Sequence, residues 1–218
     1  KYQPMIPMGK DGKRITAGKE HILLSKEAAK EGMVLLKNEG NVLPLKAGSR
    51  VALFGKGTFD YVKGGGGSGD VTVSYIRNLY EGFKELPERA DVYEELADFY
   101  RENGRKQYEE GAVPGMTVEP EVPEKLLRKA RAYADTAIIS ICRFSGEGWD
   151  RKCGEAEARS TEDKRMAEAS NGIFDRGDFY LTTKEEKLVR AVTEAFDRVV
   201  VVLNVGGMVD TDWFAHNP

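Results

Sequence analysis

The stretch Thr136-Ala137-Ile138-Ile139-Ser140-Ile141-Cys142 decides the fold class of this chain. It is short and carries no charge, which is typical of a strand that is buried on both faces. Val51–Phe54 and Val199–Leu203 have the same character. Amphipathic helical patterns lie between these strands. The alternation predicts an open α/β sheet that is largely parallel.

Apolar residues at helical spacing, together with capping residues, predict the helices. Near the end of the chain, Thr182-Thr183-Lys184-Glu185-Glu186 offers a capping box in either of two registers. The prolines at 114, 120 and 123 indicate a loop over residues 112–123. The predicted helices are Ser25–Asn38, one that opens at Ser74, a charged surface helix within Arg89–Gly111, Pro123–Ala134, and one that opens at Thr182 or Thr183.

Loops of unusual composition follow each of the predicted strands. The glycine-rich stretch Gly64–Gly69 follows the first strand, Ser145–Arg151 follows the second, and Asn204-Val205-Gly206 follows the third. The carboxyl ends of parallel strands lie along one edge of the sheet, which is where open α/β sheets bind ligands. The sequence therefore predicts that these loops converge on one site.

The glycine-rich stretch is open to more than one interpretation. It could cradle a phosphate through its backbone N–H groups, but it lacks the Gly-Lys-Ser/Thr ending of a P-loop. It has the composition of a flexible linker, but it lies within a strand–loop–helix unit. A tight loop that lets the backbone approach a ligand or a partner domain is the favoured interpretation.

The segment Cys142–Arg151 carries the strongest candidate for chemistry. It opens a connection that reaches Leu181, whereas strand-to-helix connections usually take ~2–6 residues. Glu147 lies between two glycines and close to Trp149. An aromatic face can stack on a sugar ring or raise a carboxyl pKa by desolvation, and a raised pKa suits a general acid. The competing interpretation is a solvated loop carboxylate.

The charged residues around Glu147 have less specific interpretations. Arg143 could reach into the site or pair with Glu147, and the sequence does not choose between these. Asp150 and Arg151 are predicted to form an ion pair that stabilises the loop. The remaining charges are interpreted as solvated surface; they are Glu155, Glu157, Arg159, Glu162, Asp163, Lys164 and Arg165.

Composition excludes several classes of partner. The formal net charge of −3 gives no reason to expect nucleic acid or an anionic membrane as a partner. No apolar run approaches the ~18 residues that span a bilayer. Cys142 and Cys153 are interpreted as free thiols, and His21 and His216 are too far apart in sequence to predict a zinc site. The first residues show no signal-peptide pattern, which favours a cytoplasmic location.

Five segments, which follow one another along the chain in the order found in the family, resemble glycoside hydrolase family 3. No one piece is decisive, but their shared order along the chain makes the resemblance specific. The pieces are Lys26–Leu45, Val51–Gly55 followed by Gly66-Gly67-Ser68-Gly69, Ser145-Gly146-Glu147-Gly148 with Asp150-Arg151, Gly177–Leu181, and Val200–Gly206.

The resemblance implies a three-layer (α/β)6 sandwich with a mainly parallel sheet, packed beside a (β/α)8 barrel. It implies a retaining β-glycosidase, most often a β-glucosidase, that acts on a β-glucoside or oligosaccharide. Glu147 matches the acid/base position, and Trp149 matches an aromatic at the leaving-group subsite. Ser68, Gly69 and Arg143 are expected to border the same cleft as substrate-binding residues. No cofactor or metal is required.

The chain departs from the family pattern in extent. Only three of the six strands are found, the sequence given stops at His216-Asn217-Pro218 in mid-domain, and it contains no barrel. We therefore expect an N-terminal extension with a lead-in helix over 1–48 and the first part of a sandwich over 49–218. The nucleophilic Asp would lie in the barrel, outside this chain, and Asp210 and Asp212 are not candidates for it. Some relatives carry the sandwich before the barrel, and this chain fits that order.

A rival interpretation is a non-catalytic α/β module. It would bind a sugar or a partner domain, with Glu147 as a hydrogen-bonding residue. A homo-oligomer is compatible with either interpretation. The sugar, whether glucose, xylose or arabinose, would be selected largely by the barrel.

Overall fold

The computed structural model describes residues 7–113, 115–158 and 164–215. The chain divides into two compact units, 1–40 and 41–218. The domain boundary predicted between residues 48 and 49 stays a prediction, because compactness alone does not define a domain. Pro114 and the terminal His216-Asn217-Pro218 lie outside the described residues. None of the helices within the described ranges is long and apolar enough to cross a membrane.

Among the described residues 7–40, the first unit contains one α-helix, α1, over Lys19–Glu31. The prediction of Ser25–Asn38 was therefore wrong at both ends. The helix starts after Gly18, and its last turn closes when the N–H of Gly32 bonds the carbonyl of Ala28 at 3.0 Å. Glycine is costly in a helix interior, which makes Gly32 a natural stop.

The second unit alternates strands and helices. Its strands are β1 (Ser49–Phe54), β2 (Ala90–Val92), β3 (Thr136–Arg143) and β4 (Val199–Val205). Its helices are α2 (Leu79–Lys84), α3 (Glu94–Glu109), α4 (Glu124–Tyr133), α5 (Lys164–Ile173), α6 (Thr183–Ala195) and α7 (Asp212–Ala215).

All four strands are parallel, in the order β2-β1-β3-β4. This confirms the predicted α/β class with a parallel sheet. The chain runs outward from β1 to β2 and then crosses to β3 on the other side of β1. The strand order therefore reverses between β1 and β3, and such a switch point is where ligands of open α/β sheets bind.

The core explains why the central strands carry so little polarity. Every residue of β3 is buried, and neighbouring residues of β1 point to opposite faces. Ala52 and Phe54 pack with residues of α3, α4 and α6, whereas Val51 and Leu53 pack with partly buried residues of α2. The sheet is covered on both faces, so its inner strands need apolar residues throughout. In β4 every residue is only half-buried, as expected for the last strand of the described sheet.

Two capping boxes set the starts of α2 and α6. The prediction that α2 opens at Ser74 was wrong, because Asn78 caps it by accepting a hydrogen bond from the N–H of Glu81 at 2.8 Å. The sequence left two registers open for α6, and the structure selects Thr182 as the cap with Glu185 as its partner. The helix predicted over Pro123–Ala134 is confirmed as α4.

Strand β2, helix α5 and the four-residue helix α7 were missed. Strand β2 has three residues with an aspartate at its centre, so it carries no apolar run and was absorbed into the predicted surface helix. That helix, α3, also buries one face, through Leu96, Ala97 and Tyr100. Helix α5 lies inside the long connection and includes Lys164 and Arg165 of the predicted charged surface. Arg159, Glu162 and Asp163 of that surface lie outside the described residues.

A buried carboxyl group supports the turn that follows β1. Glu119 is 3% exposed, and its Oε2 accepts a hydrogen bond from the backbone N–H of Lys56 at 2.7 Å. Burial, reinforced by the negative charge of Glu185, raises the pKa of Glu119 from 4.5 to about 7. Lys56 and the Tyr100 hydroxyl oppose this shift without cancelling it.

Replacing this carboxyl group should change how stability depends on pH. Because Glu119 binds its proton more tightly in the folded chain, its contribution is fullest below pH 4.5 and is lost as pH rises through about 7. At about 1.4 kcal/mol per pKa unit, the loss amounts to about 3 kcal/mol. In urea unfolding, the free energy of unfolding of the parent should fall by about 3 kcal/mol between pH 4.5 and 7.5. Glu119→Gln should not show this fall. Glu121→Gln, at an exposed position nearby, should keep the parent's pH dependence. An equal change in the free energy of unfolding between the two pH values in all three proteins would contradict the assignment.

Candidate functional site

The loops after β1 and β3 run side by side beyond the carboxyl edge of the sheet. Gly66 and Gly146 form a parallel β-bridge, with the N–H of Gly66 donating to the carbonyl of Ser145 at 2.9 Å. A Cβ on Gly146 would lie 3.0 Å from the nitrogen of Gly66, so this approach needs glycine. The glycine-rich stretch therefore brings its backbone close to the segment that carries Glu147, as in the tight-loop interpretation.

The Glu147 carboxylate is held by Ser68. Its Oε2 accepts hydrogen bonds from the Ser68 N–H at 3.1 Å and from the Ser68 hydroxyl at 2.8 Å. Gly67 makes this contact feasible: its φ is +70°, and a Cβ there would lie 2.6 Å from the Cβ of Glu147. The two residues are 79 positions apart, so only the fold brings them together.

The electrostatics of Glu147 differ from the expectation. The side chain is exposed, and the hydrogen bonds from the backbone N–H and the hydroxyl of Ser68 lower its pKa from the ordinary value. Donors to a carboxylate favour its charged form. Desolvation opposes this lowering of the pKa without cancelling it, so the raised pKa expected beside Trp149 is not found in this chain.

Of the remaining predicted site residues, Gly69 directly follows Ser68, and Trp149 lies two positions after Glu147. Gly69 ends the short 3₁₀ turn that carries Ser68, and a side chain there would meet no neighbour within 4 Å. Trp149 is half-buried, and its backbone N–H closes a turn onto the carbonyl of Gly146 at 2.9 Å. The roles of Ser68, Gly69 and Trp149 in substrate binding stay predictions.

Arg143 is corrected from a substrate-binding residue to a structural one. It is 2% exposed and pairs with both carboxylate oxygens of Glu185, at 2.7 and 2.8 Å. The other three N–H groups of its guanidinium donate to the carbonyls of Cys142, Asp178 and Tyr180. All five donors are thus used inside the protein, and none is left for a ligand or for Glu147.

Arg151 also has a partner different from the one expected. Its Nη1 pairs with Oδ2 of Asp178 at 2.5 Å, so the predicted pairing with Asp150 was wrong. The other oxygen of Asp178 accepts the backbone N–H of Lys152 at 2.7 Å. Sequence reasoning missed Asp178 and Glu185 as partners, because each meets its arginine across a long stretch of chain. The only sequence signal was the capping position of Glu185.

Asn204 holds the loop that follows β1 from two strands away. Its side-chain oxygen accepts the N–H of Val62 at 2.8 Å, and its side-chain nitrogen donates to the Val62 carbonyl at 3.1 Å. An amide can satisfy both backbone groups of one residue in this way, as a neighbouring strand would. The three loops predicted to converge therefore do so, through the bridge between Gly66 and Gly146 and the hydrogen bonds of Asn204 to Val62.

Glu147 faces open surface and not an enclosed cavity. A cavity of about 230 Å³ lies elsewhere, lined by residues that include Phe59, Tyr100 and Tyr108. Within 7–113, 115–158 and 164–215, no group of three or more His, Cys, Asp or Glu side chains could hold a metal ion. The chain thus presents a carboxylate, a serine and glycine backbone on one open face.

Comparison with known proteins gives a consistent result. Residues 33–218 match the family model described as the glycosyl hydrolase family 3 C-terminal domain. Beta-glucosidase A of Butyrivibrio fibrisolvens is 59% identical over 215 residues, which are 98% of this chain and 26% of that protein. The chain therefore spans about a quarter of that relative's length.

Solved structures agree with the sequence matches. Beta-glucosidase 3B from Thermotoga neapolitana in complex with alpha-D-glucose is 35% identical, with a TM-score of 0.68 over 88% of this chain and 25% of that one. A beta-glucosidase from Paenibacillus barengoltzii is 29% identical, with a TM-score of 0.72 over 91% of this chain and 20% of that one. These likenesses confirm the resemblance and the fold class predicted from the sequence.

The contact between Gly67 and Glu147 can be tested with a substitution. Gly67→Ala should displace the carboxylate from Ser68, because the left-handed φ and the 2.6 Å clash both oppose a side chain. With those hydrogen bonds lost, the pKa of Glu147 should rise towards its ordinary value in a carboxyl NMR titration. Gly64→Ala, in the same stretch but with no neighbour within 4 Å, should leave the pKa unchanged. An unchanged pKa in Gly67→Ala would show that Ser68 does not set it.

Proposed function

The chain belongs to glycosyl hydrolase family 3, and we propose that it supplies one wall of the active site of a retaining β-glucosidase. The proposed reaction is hydrolysis of terminal, non-reducing β-D-glucosyl residues. Since the chain covers about a quarter of its beta-glucosidase relative, the rest of the site would come from the remainder of the protein. We expect that remainder to include a (β/α)8 barrel.

The position of Glu147 carries this proposal. Its loop lies at the switch point of the sheet, between strands β1 and β3. Within the described part of the chain, the hydrogen bonds to the carboxylate reach Oε2 only, which leaves Oε1 to face a substrate. Glycines on both sides let a bulky sugar approach the backbone closely.

In the proposed mechanism, Glu147 acts in both steps. A carboxylate from the barrel attacks the anomeric carbon while Glu147 gives its proton to the leaving oxygen. Glu147 then takes a proton from the water that breaks the glycosyl–enzyme bond. The two carboxyl groups would stand about 5–5.5 Å apart.

The lowered pKa of Glu147 fits this proposal only once the site is complete. A second carboxylate nearby and the exclusion of water both raise a carboxyl pKa. Docking of the barrel would add both effects, and the Ser68 hydrogen bonds would then moderate the rise. The group could thus hold its proton in the complete enzyme and still release it when it acts as an acid.

The exposure and lowered pKa of Glu147 favour one alternative function. In a non-catalytic sugar-binding module, a charged Glu147 would accept hydrogen bonds from sugar hydroxyls and transfer no proton. The two functions differ in what happens when the carboxylate is removed.

Removal of the Glu147 carboxylate should strongly reduce turnover in the full-length protein. With an aryl β-glucoside that has a good leaving group, Glu147→Ala should hydrolyse the glycosyl–enzyme about 10²–10⁴-fold more slowly. Azide should restore turnover and form a β-glucosyl azide, because it attacks without needing a general base. Glu155→Ala, another exposed acid of the same connection, should behave as the parent. Full activity in Glu147→Ala, or a loss that azide leaves unchanged, would point to the non-catalytic alternative.

Removal of the Ser68 hydroxyl should shift the pH profile. Because that hydrogen bond lowers the pKa of Glu147, Ser68→Ala should raise the pKa, although the Ser68 N–H still donates. A general acid works only while protonated, so the alkaline limb of kcat/KM should move to higher pH. Ser74→Ala, in an exposed position, should leave that limb in place. A shift to lower pH would contradict the assignment.

A further inference from the structure

We propose that Asp178 is a positioning residue that fixes the base of the loop carrying Glu147. The inference rests on the proposed role of Glu147 as the proton donor. Asp178 does not reach the open face itself, since it is 1% exposed. It acts through the residues at the two ends of the loop.

Three contacts converge on Asp178 from those two ends. On the outgoing side, its carboxylate binds Arg151 at 2.5 Å and the N–H of Lys152 at 2.7 Å. On the incoming side, its backbone carbonyl accepts Nε of Arg143 at 3.0 Å. One residue therefore sets where the chain enters the loop and where it leaves.

A fourth contact closes the loop directly. Nη2 of Arg151 donates to the carbonyl of Arg143 at 3.1 Å, so the two ends of residues 143–151 are joined to each other. Arg143 is in turn fixed by its paired bonds to Glu185 in the first turn of α6. The buried charges alternate in sign from Glu185 through Arg143 and Asp178 to Arg151, and they sum to zero.

The packing around Gly177 leaves little room for this base to move. Gly177 has φ +86°, and a Cβ there would lie 2.2 Å from the carbonyl of Lys152. The N–H of Phe179 donates to that same carbonyl at 3.0 Å. The segment around Asp178 therefore lies directly against the end of the loop.

This geometry predicts a selective defect when the charge of Asp178 is removed. Asp178→Asn keeps an acceptor for Lys152 but leaves Arg151 buried without its counter-charge, which is costly. The loop would lose its fixed end, and Glu147 would sit out of place. A misplacement of about 1 Å can cost about a hundredfold in rate. Only reactions that need the proton of Glu147 should show the full loss in rate.

The experiment compares two substrates in the full-length protein. A methylphenyl β-glucoside needs protonation of its leaving group, whereas a dinitrophenyl β-glucoside does not. Asp178→Asn should lower kcat/KM for the first by about a hundredfold and for the second by only a few-fold. Val192→Ala removes fully buried core atoms of α6 and serves as a matched loss of stability, with equal effects on both substrates. Equal losses in Asp178→Asn would overturn the positioning role.

Two further variants keep the outcomes distinct. Arg151→Lys retains the positive charge beside Asp178 but loses the second donor, which bonds the carbonyl of Arg143, so it should show the same selective loss. It provides an independent test if Asp178→Asn does not fold. Glu147→Ala tests the premise, and if it shows no selective loss, the proposed function fails and this inference with it. If Glu147→Ala is selective while Asp178→Asn and Arg151→Lys are not, only the positioning role fails.

Discussion

The parallel pairing of β1 with β3 is the constraint on which the rest of the structure depends. Val51–Phe54 of β1 and all of β3 are buried, so their backbone groups must be hydrogen-bonded within the sheet, and their register places Val51 opposite Thr136. The pairing aligns the ends of the two strands, and the loops that follow continue it as far as the bridge between Gly66 and Gly146. The contact between Ser68 and Glu147 is a consequence of that alignment.

The end of β3 places charge where the sheet would otherwise require apolar atoms. Two arginines and two carboxylates are buried there, and burial of an unpaired charge would cost several kcal/mol. Each therefore has a partner and further hydrogen bonds, as with the five donors of Arg143. Burial opposes the charge on Glu185, yet Arg143 keeps its pKa below the ordinary value. The arrangement joins the two ends of the glycine-flanked loop to each other, while Glu147 at its tip stays exposed.

Local signals predicted most of the fold. The apolar runs of β1, β3 and β4, the cap of α6 and the span of α4 follow from periodicity and capping chemistry, which act over a few residues. The misses have local causes. Strand β2 is too short and too polar to give a pattern, α5 lies in a charged connection, and Asn78 competes with Ser74 as a cap. The convergence of the loops was predicted, but the contact between Ser68 and Glu147 and the burial of Arg143 were not.

The sequence by itself determined the fold class, the edge of the sheet at which the loops converge and Glu147 as the candidate catalytic carboxylate. These depend on residue type and spacing, which are properties of short stretches. Only the tertiary structure decided the partners of the charged residues, because Ser68 meets Glu147, and Asp178 meets Arg151, across tens of residues. It also decided the direction in which the pKa of Glu147 shifts, since a pKa depends on the hydrogen-bond donors and solvent around the carboxylate. Those surroundings exist only after the chain has folded.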